Sequence, residues 1–185
     1  MILHGSLATF PGTILNLVSR RDLRLMRRVH RWRAPRWVRL WMILATRGGD
    51  GWLWYTLGIA ILVWGGPSRW DAVLAAGTAS AMAVAIYPTL KRLTGRRRPC
   101  ALEPHCWARV LPPDSYSFPS GHTMNAFAIA VTLGHFYAHL MPALLFCAVS
   151  IAISRIALGL HFLSDVVAGA AIGTTLAYVA FRLFT

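Results

Sequence analysis

The sequence predicts an all-α fold: an integral-membrane, up-and-down bundle of about five transmembrane helices, preceded by an interfacial amphipathic helix. Three observations carry that expectation. The 185 residues are 56% hydrophobic and 14% charged, with a mean hydropathy of +0.52, which is too apolar for a soluble domain of this length. Uncharged stretches of membrane length recur, and the longest, Ser115 to Ser154, holds no Lys, Arg, Asp or Glu and is long enough for two spans. Glycines, prolines and charges fall between these stretches.

Taken in order, Met1 to Val18 has no basic segment ahead of its apolar residues and is interrupted by Pro11, Gly12 and Asn16. It makes a poor secretory signal, so the first span is expected to target the chain. Arg20 to Arg47 alternates arginines with Leu, Met, Val and Trp, the pattern of an amphipathic helix lying on a membrane. The first span is Gly51 to Gly66, stopped by Gly65-Gly66-Pro67, and the second is Ala72 to Leu90, between Asp71 and Lys91. A basic loop, Lys91 to Asp114, follows. The third and fourth spans lie within Ser115 to Ser154 and its continuation to Gly159, with a turn at His139-Leu140-Met141-Pro142. The fifth is Phe162 to Phe184, where Gly169, Ala170, Ala171 and Gly173 allow close approach of a neighbouring helix. Two units result: residues 1–50 as the interfacial segment and 51–185 as the transmembrane domain.

Nineteen Lys and Arg stand against six Asp and Glu. Such an excess suits nucleic acid, anionic lipid or a phosphorylated substrate, and the apolar runs exclude nucleic acid as the partner. Ten arginines precede the first span, and Lys91, Arg92, Arg96, Arg97, Arg98 and Arg109 lie between the second and third. Five spans put both groups on one side, which the positive-inside rule makes the cytoplasm of a bacterial inner membrane. A sixth span drawn from Arg36 to Ala45 and its neighbours reverses that assignment. Cys100, Cys106 and Cys147 are too few for a disulfide scaffold, and Cys100 and Cys106 pair only in an oxidising compartment.

Three clusters place ionisable residues at the ends of apolar helices, where burying them is costly. They are Lys91-x6-Arg98-Pro99, Pro119-Ser120-Gly121-His122, and Ser154-Arg155-x5-His161-x3-Asp165. The first follows the second span, the second opens the third, and the last joins the fourth to the fifth. Helix parity therefore brings all three to one membrane face. Arg98, Arg155 and Lys91 suit a phosphoryl group, since arginine presents a planar fork and lysine a compact charge. Ser120 and the amides of Gly121 and His122 sit at a helix amino terminus, which favours an anion. His161 and Asp165, four apart, read as neighbours on one helical face, with the carboxylate fixing the tautomer so that the other ring nitrogen attacks phosphorus. His122 then serves as general acid and base. Taken singly, Ser-Gly-His is more often a cap, and Lys91 and Arg98 more often a cytoplasmic flank. The combination in this order carries the catalytic reading.

With these three motifs the chain resembles the type 2 phosphatidate phosphatase family, whose signature is Lys-x6-Arg-Pro, Pro-Ser-Gly-His and Ser-Arg-x5-His-x3-Asp. Every signature position is present, and the resemblance runs from about Ala72 to Gly173. It implies a membrane phosphatase acting on a lipid phosphate or pyrophosphate, with a phosphohistidine on His161, proton transfer by His122, and orientation of His161 by Asp165. It further implies phosphate binding by Lys91, Arg98, Ser120, Gly121 and Arg155, with no metal or other cofactor. Nothing before Gly51 reads as the extra span of six-span family members.

Two rival readings share these residues. A vanadium haloperoxidase has a vanadate site similar to this phosphate site, but those enzymes are soluble and larger. A lipid-phosphate binder or transporter needs the arginines but not His161 with Asp165. His135 and His139 are also four apart, about 20 Å along the helix from His122 at 1.5 Å per residue, and read as interfacial. His105 beside Cys106 completes no metal site, and Trp32, Trp37, Trp41, Trp52, Trp54, Trp64 and Trp70 read as interface anchors and packing residues. Asp50 reads as a cap of the first span, without a chemical role.

Overall fold

The computed structural model describes residues 13–102 and 114–185, with side chains from residue 20 onward in the first helix. Eight α-helices and no strand are present among these residues: α1 (Thr13–Arg31), α2 (Arg36–Gly48), α3 (Trp52–Trp64), α4 (Arg69–Thr94), α5 (Pro99–Leu102), α6 (Gly121–Phe136), α7 (Met141–Ala157) and α8 (Leu163–Leu183). A single 3₁₀ turn, Ala138–Leu140, joins α6 to α7. The expected bundle is therefore present. Among the described residues, three segments are both long and apolar enough to cross a membrane, Arg69–Thr94, Ala138–Ala157 and Leu163–Leu183, whereas α3 is a shorter apolar helix and α6 has 16 residues. The count of about five spans is accordingly approximate.

Helix α6 is the axis of the bundle, with α4, α7 and α8 packed around it. Its residues from Ala126 to Gly134 are buried almost without interruption. The closeness of α6 and α8 comes from two glycines. A Cβ on Gly169 would lie 2.7 Å from the Ser120 carbonyl oxygen, and one on Gly173 would run into the Met124 carbonyl. Replacing either with alanine forces the two backbones apart. Helix α4 meets the core through Ala72, Ala75, Ala76, Ala79 and Ala83, a stripe of small side chains. Continuing that stripe in steps of four from Ala83 gives Tyr87 and Lys91, so helical geometry alone turns Lys91 inward. The opposite faces carry exposed apolar residues such as Tyr55, Ile59, Val84, Phe146, Val149, Val167 and Tyr178, the surface that a bilayer covers.

The structure departs from the sequence reading in three places. The expected single helix over Arg20 to Arg47 is two, because Pro35 cannot continue α1 and disfavours helical backbone at Ala34. Its second half, α2, presents Trp37, Leu40, Trp41 and Leu44 outward as one apolar stripe while Met42 and Thr46 face the bundle. Helix α4 runs past Lys91 to Thr94 and ends at Gly95 in the left-handed conformation, so Lys91 lies within its last turn. His161 is not on a helix with Asp165. It precedes the extended cap Phe162, and α8 starts at Leu163.

Candidate active site

One end of the bundle gathers the three motifs. Lys91 comes from the last turn of α4, Arg98 from the residue just before α5, Ser120 and Gly121 from the entry to α6, Arg155 from the last turn of α7, His161 from the α7–α8 connection and Asp165 from the first turn of α8. Lys91, Arg98, Ser120, Arg155, His161 and Asp165 are all buried. The main chain ties the motifs together. The Arg155 carbonyl accepts hydrogen bonds from the amides of Leu160 and His161, each at 3.0 Å, and the Ser120 amide donates to the Asp165 carbonyl at 3.0 Å.

His161 is held from both ring edges. Its Nδ1 lies 2.6 Å from the Ser117 carbonyl oxygen, an acceptor only, so Nδ1 carries the proton. Nε2 is then unprotonated, and Arg98 Nη1 approaches it at 3.1 Å. Asp165 Oδ2 stands 3.6 Å from Nδ1, close enough to act through charge but beyond hydrogen-bond range. The orienting acceptor is therefore the Ser117 carbonyl, which correspondence of side-chain types cannot reveal. Burial, reinforced by the positive charges of Arg155 and Arg98, outweighs the nearby Asp165 and pushes the His161 imidazole down to about 3. The ring is neutral at physiological pH, and its Nε2 lone pair accepts a hydrogen bond from Arg98 Nη1.

Asp165 arises from local capping chemistry. At the third position of α8 its Oδ2 accepts the Phe162 amide at 2.8 Å, as a carboxylate at a helix amino terminus does. Its Oδ1 accepts from Arg96 Nη1 at 2.7 Å. Both oxygens are thereby fixed.

Asp114, at the edge of the basic loop, has a place that sequence reasoning missed. Its carboxylate joins Lys91 Nζ at 2.6 Å to Arg98 Nη2 at 2.9 Å, and its main-chain oxygen accepts from Arg98 Nε at 2.8 Å. Partial burial raises the Asp114 carboxyl, but the hydrogen bonds from Lys91 and Arg98 prevail and hold it below the usual carboxylate range. Arg155 donates from Nη1 to Thr46 Oγ1 at 2.5 Å, and its Nε is buried without a partner among the described residues. Ser120 Oγ meets Thr123 Oγ1 at 3.0 Å and makes no cap bond to the α6 backbone.

His122 Nε2 lies 2.7 Å from Asp50 Oδ1. Asp50 makes no cap bond to α3, whose N-cap is Gly51, so its assignment as a cap is corrected: its partner is the histidine 72 positions later. Cys106, the conditional partner of Cys100, lies with His105 and Arg109 in positions 103–113, outside the described residues.

The matching family model is that of the PAP2 superfamily, over residues 72–185. The chain belongs to this superfamily. Decaprenylphosphoryl-5-phosphoribose phosphatase of Mycobacterium tuberculosis is 38% identical over 125 residues, covering 68% of this chain and 67% of that protein. Phosphatidylglycerophosphatase B of Bacillus subtilis is 33% identical over 84 residues, covering 40% of this chain and 41% of the relative. Among solved structures, LpxE of Aquifex aeolicus superposes with a TM-score of 0.73 at 29% identity, covering 86% of this chain and 94% of that one. The PAP2 match begins in α4, so α1, α2 and α3 precede the matched region, yet Thr46 and Asp50 reach the same end of the bundle.

Proposed function

We propose that this PAP2 protein hydrolyses a lipid phosphate or lipid pyrophosphate through a phosphohistidine on His161. The observation that carries the reading is the buried, neutral His161, with Nδ1–H on the Ser117 carbonyl and Nε2 directed at Arg98. A nucleophilic nitrogen thereby stands beside a cation suited to the phosphoryl oxygens.

In the first step Arg98 Nη1 turns from His161 Nε2 to a phosphoryl oxygen, and the freed Nε2 lone pair forms a bond to phosphorus as the bond from phosphorus to the lipid oxygen breaks. Negative charge shared among the phosphoryl oxygens is met by Lys91, Arg98, Arg155 and the amino terminus of α6 at Ser120 and Gly121. Asp165, 3.6 Å from Nδ1, supports the positive charge that develops on the ring. His122 gives a proton to the departing oxygen. In the second step water attacks phosphorus, His122 takes its proton, the N–P bond breaks, and inorganic phosphate leaves. Asp50 holds His122 by Nε2, leaving Nδ1 as the nitrogen available for proton exchange.

The substrate class is tested with purified protein in detergent containing EDTA. A panel of polyprenyl phosphates, a polyprenyl-linked sugar phosphate, phosphatidylglycerophosphate and phosphatidate is expected to give inorganic phosphate with at least one member. The 38% identical relative makes the polyprenyl-linked compound the first to assay. Bromide-dependent peroxide turnover after vanadate loading, with no phosphate release from any member, would overturn the phosphatase reading.

Asp114 sharpens the assignment of Lys91 and Arg98. Its carboxylate already engages both cations, so an incoming phosphoryl dianion meets a like charge at the donors it needs. Asp114→Asn keeps the shape and removes that charge. It is expected to tighten inhibition by vanadate roughly three- to tenfold, the order of one partly screened charge contact. Unchanged or weaker inhibition in a dose-response series contradicts anion binding at this pair.

A further inference from the structure

The N-terminal helix α1 reaches the active site through Asp22, one of the few carboxylates in the chain and buried although surrounded in sequence by arginines. Asp22 Oδ2 accepts from Arg96 Nη2 at 2.7 Å and from the Ser164 hydroxyl, and Oδ1 accepts from the Ser164 amide at 3.2 Å. Arg96 Nη1 donates to Ser164 Oγ at 2.6 Å and to Asp165 Oδ1 at 2.7 Å. The guanidinium lies over the Phe162 ring, 4.3 Å from its centroid, which fixes its plane. One arginine fork thus joins α1 to the carboxylate beside the His161 ring. Neither Arg96 nor Asp22 is among the three motif clusters, and Asp22 lies before the PAP2 match.

We infer that Asp22 and Arg96 are positioning residues of the active site: Arg96 fixes Asp165, and Asp22 balances Arg96 so that Asp165 keeps its full electrostatic effect on His161. This rests on the phosphohistidine reading. The charge count gives the reason. Arg96 alone neutralises Asp165 and leaves the imidazolium-like ring of the transition state without a net counter-charge. With Asp22 the group carries one negative charge overall, located between α1 and α8 beside the ring that becomes positive. The geometry gives a second reason, since Asp165 Oδ1 has its hydrogen bond from Arg96 and the ring contact at 3.6 Å depends on where that carboxylate sits. Helix α1, expected from sequence to lie on the membrane, thereby supplies a group that the catalytic end requires.

The test uses the full chain in detergent, with the lipid phosphate that the wild type hydrolyses fastest. Asp22→Asn preserves size while removing the charge and one of the two acceptor oxygens, and is expected to lower kcat about 10- to 100-fold, the range for misplacement one step behind the reacting group. KM stays within about threefold, because Asp22 touches none of the proposed phosphate ligands. Arg96→Lys is expected to retain several-fold more activity than Arg96→Gln. The double variant Asp22→Asn with Arg96→Gln should lose less than the product of the single losses, since both act through Asp165. Thermal unfolding of each variant accompanies the kinetics. Wild-type kcat in Asp22→Asn, additive losses in the double variant, or losses that follow the folded fraction alone overturn the inference. A wild type without phosphate release from any lipid phosphate overturns the catalytic reading beneath it, whereas turnover equal in wild type and Asp22→Asn overturns this inference alone.

Discussion

His161→Ala is expected to lower phosphate release by at least about a thousandfold, the order seen when an enzyme loses its nucleophile. The expectation follows from geometry that leaves no substitute. His161 Nε2 is the nitrogen next to Arg98, the ring is buried, and its Nδ1 proton is held on the Ser117 carbonyl. Alanine removes the lone pair and also releases the Ser117 carbonyl and one Arg98 donor inside the protein, so some stability is lost with the activity. Thermal unfolding in detergent separates the two effects. A folded His161→Ala protein with residual activity within tenfold of wild type contradicts nucleophilic catalysis by this residue.

The second large effect is expected at His122, and it depends on the leaving group. With a lipid alkoxide, which needs a proton to depart, His122→Ala should lower kcat about 10²- to 10⁴-fold, the contribution of a placed general acid. With nitrophenyl phosphate, whose leaving group departs unprotonated, the first step continues while attack of water on the phosphohistidine lacks its base. A burst of nitrophenolate close to one per enzyme, followed by slow turnover, is the expected record in stopped flow. Asp50→Asn should move both substrates in the same direction by a smaller factor, because the 2.7 Å contact to Nε2 orients His122 without touching the reacting groups. Equal losses for both substrates, with no burst, contradict the assignment of His122 to proton transfer.

The motif residues were legible because each stands where an apolar helix ends, and helix parity alone predicted that these ends meet. Small residues at Gly169 and Gly173 likewise announced the close α6–α8 contact. The partners of the motif residues were not legible, and the reasons are physical. Asp50 and His122, or Asp22 and Arg96, are 72 and 74 positions apart, so their pairing exists only after helices from distant parts of the chain have packed. Asp22 sits in an arginine-rich amphipathic helix and resembles a solvated charge. Arg96 is lost among Arg92, Arg97 and Arg98, where the positive-inside rule is sufficient explanation for any one of them. Ser117 contributes a main-chain oxygen, for which any residue type serves. The i, i+4 spacing of His161 and Asp165 led to the right neighbourhood by the wrong geometry: the two approach through a capping turn at Phe162. That turn explains why Asp165 stands 3.6 Å from Nδ1 while a carbonyl takes the hydrogen bond.

A covalent bond between phosphorus and His161 can be trapped during turnover. Purified protein is mixed for milliseconds with a lipid phosphate carrying radioactive phosphorus, quenched in alkaline detergent, and digested for peptide mass analysis. The expected label survives alkali, is lost in mild acid and maps to His161; with radioactive nitrophenyl phosphate in place of the lipid, it is greater in His122→Ala than in wild type. Label on another residue, or full turnover with no acid-labile label at any quench time, contradicts it.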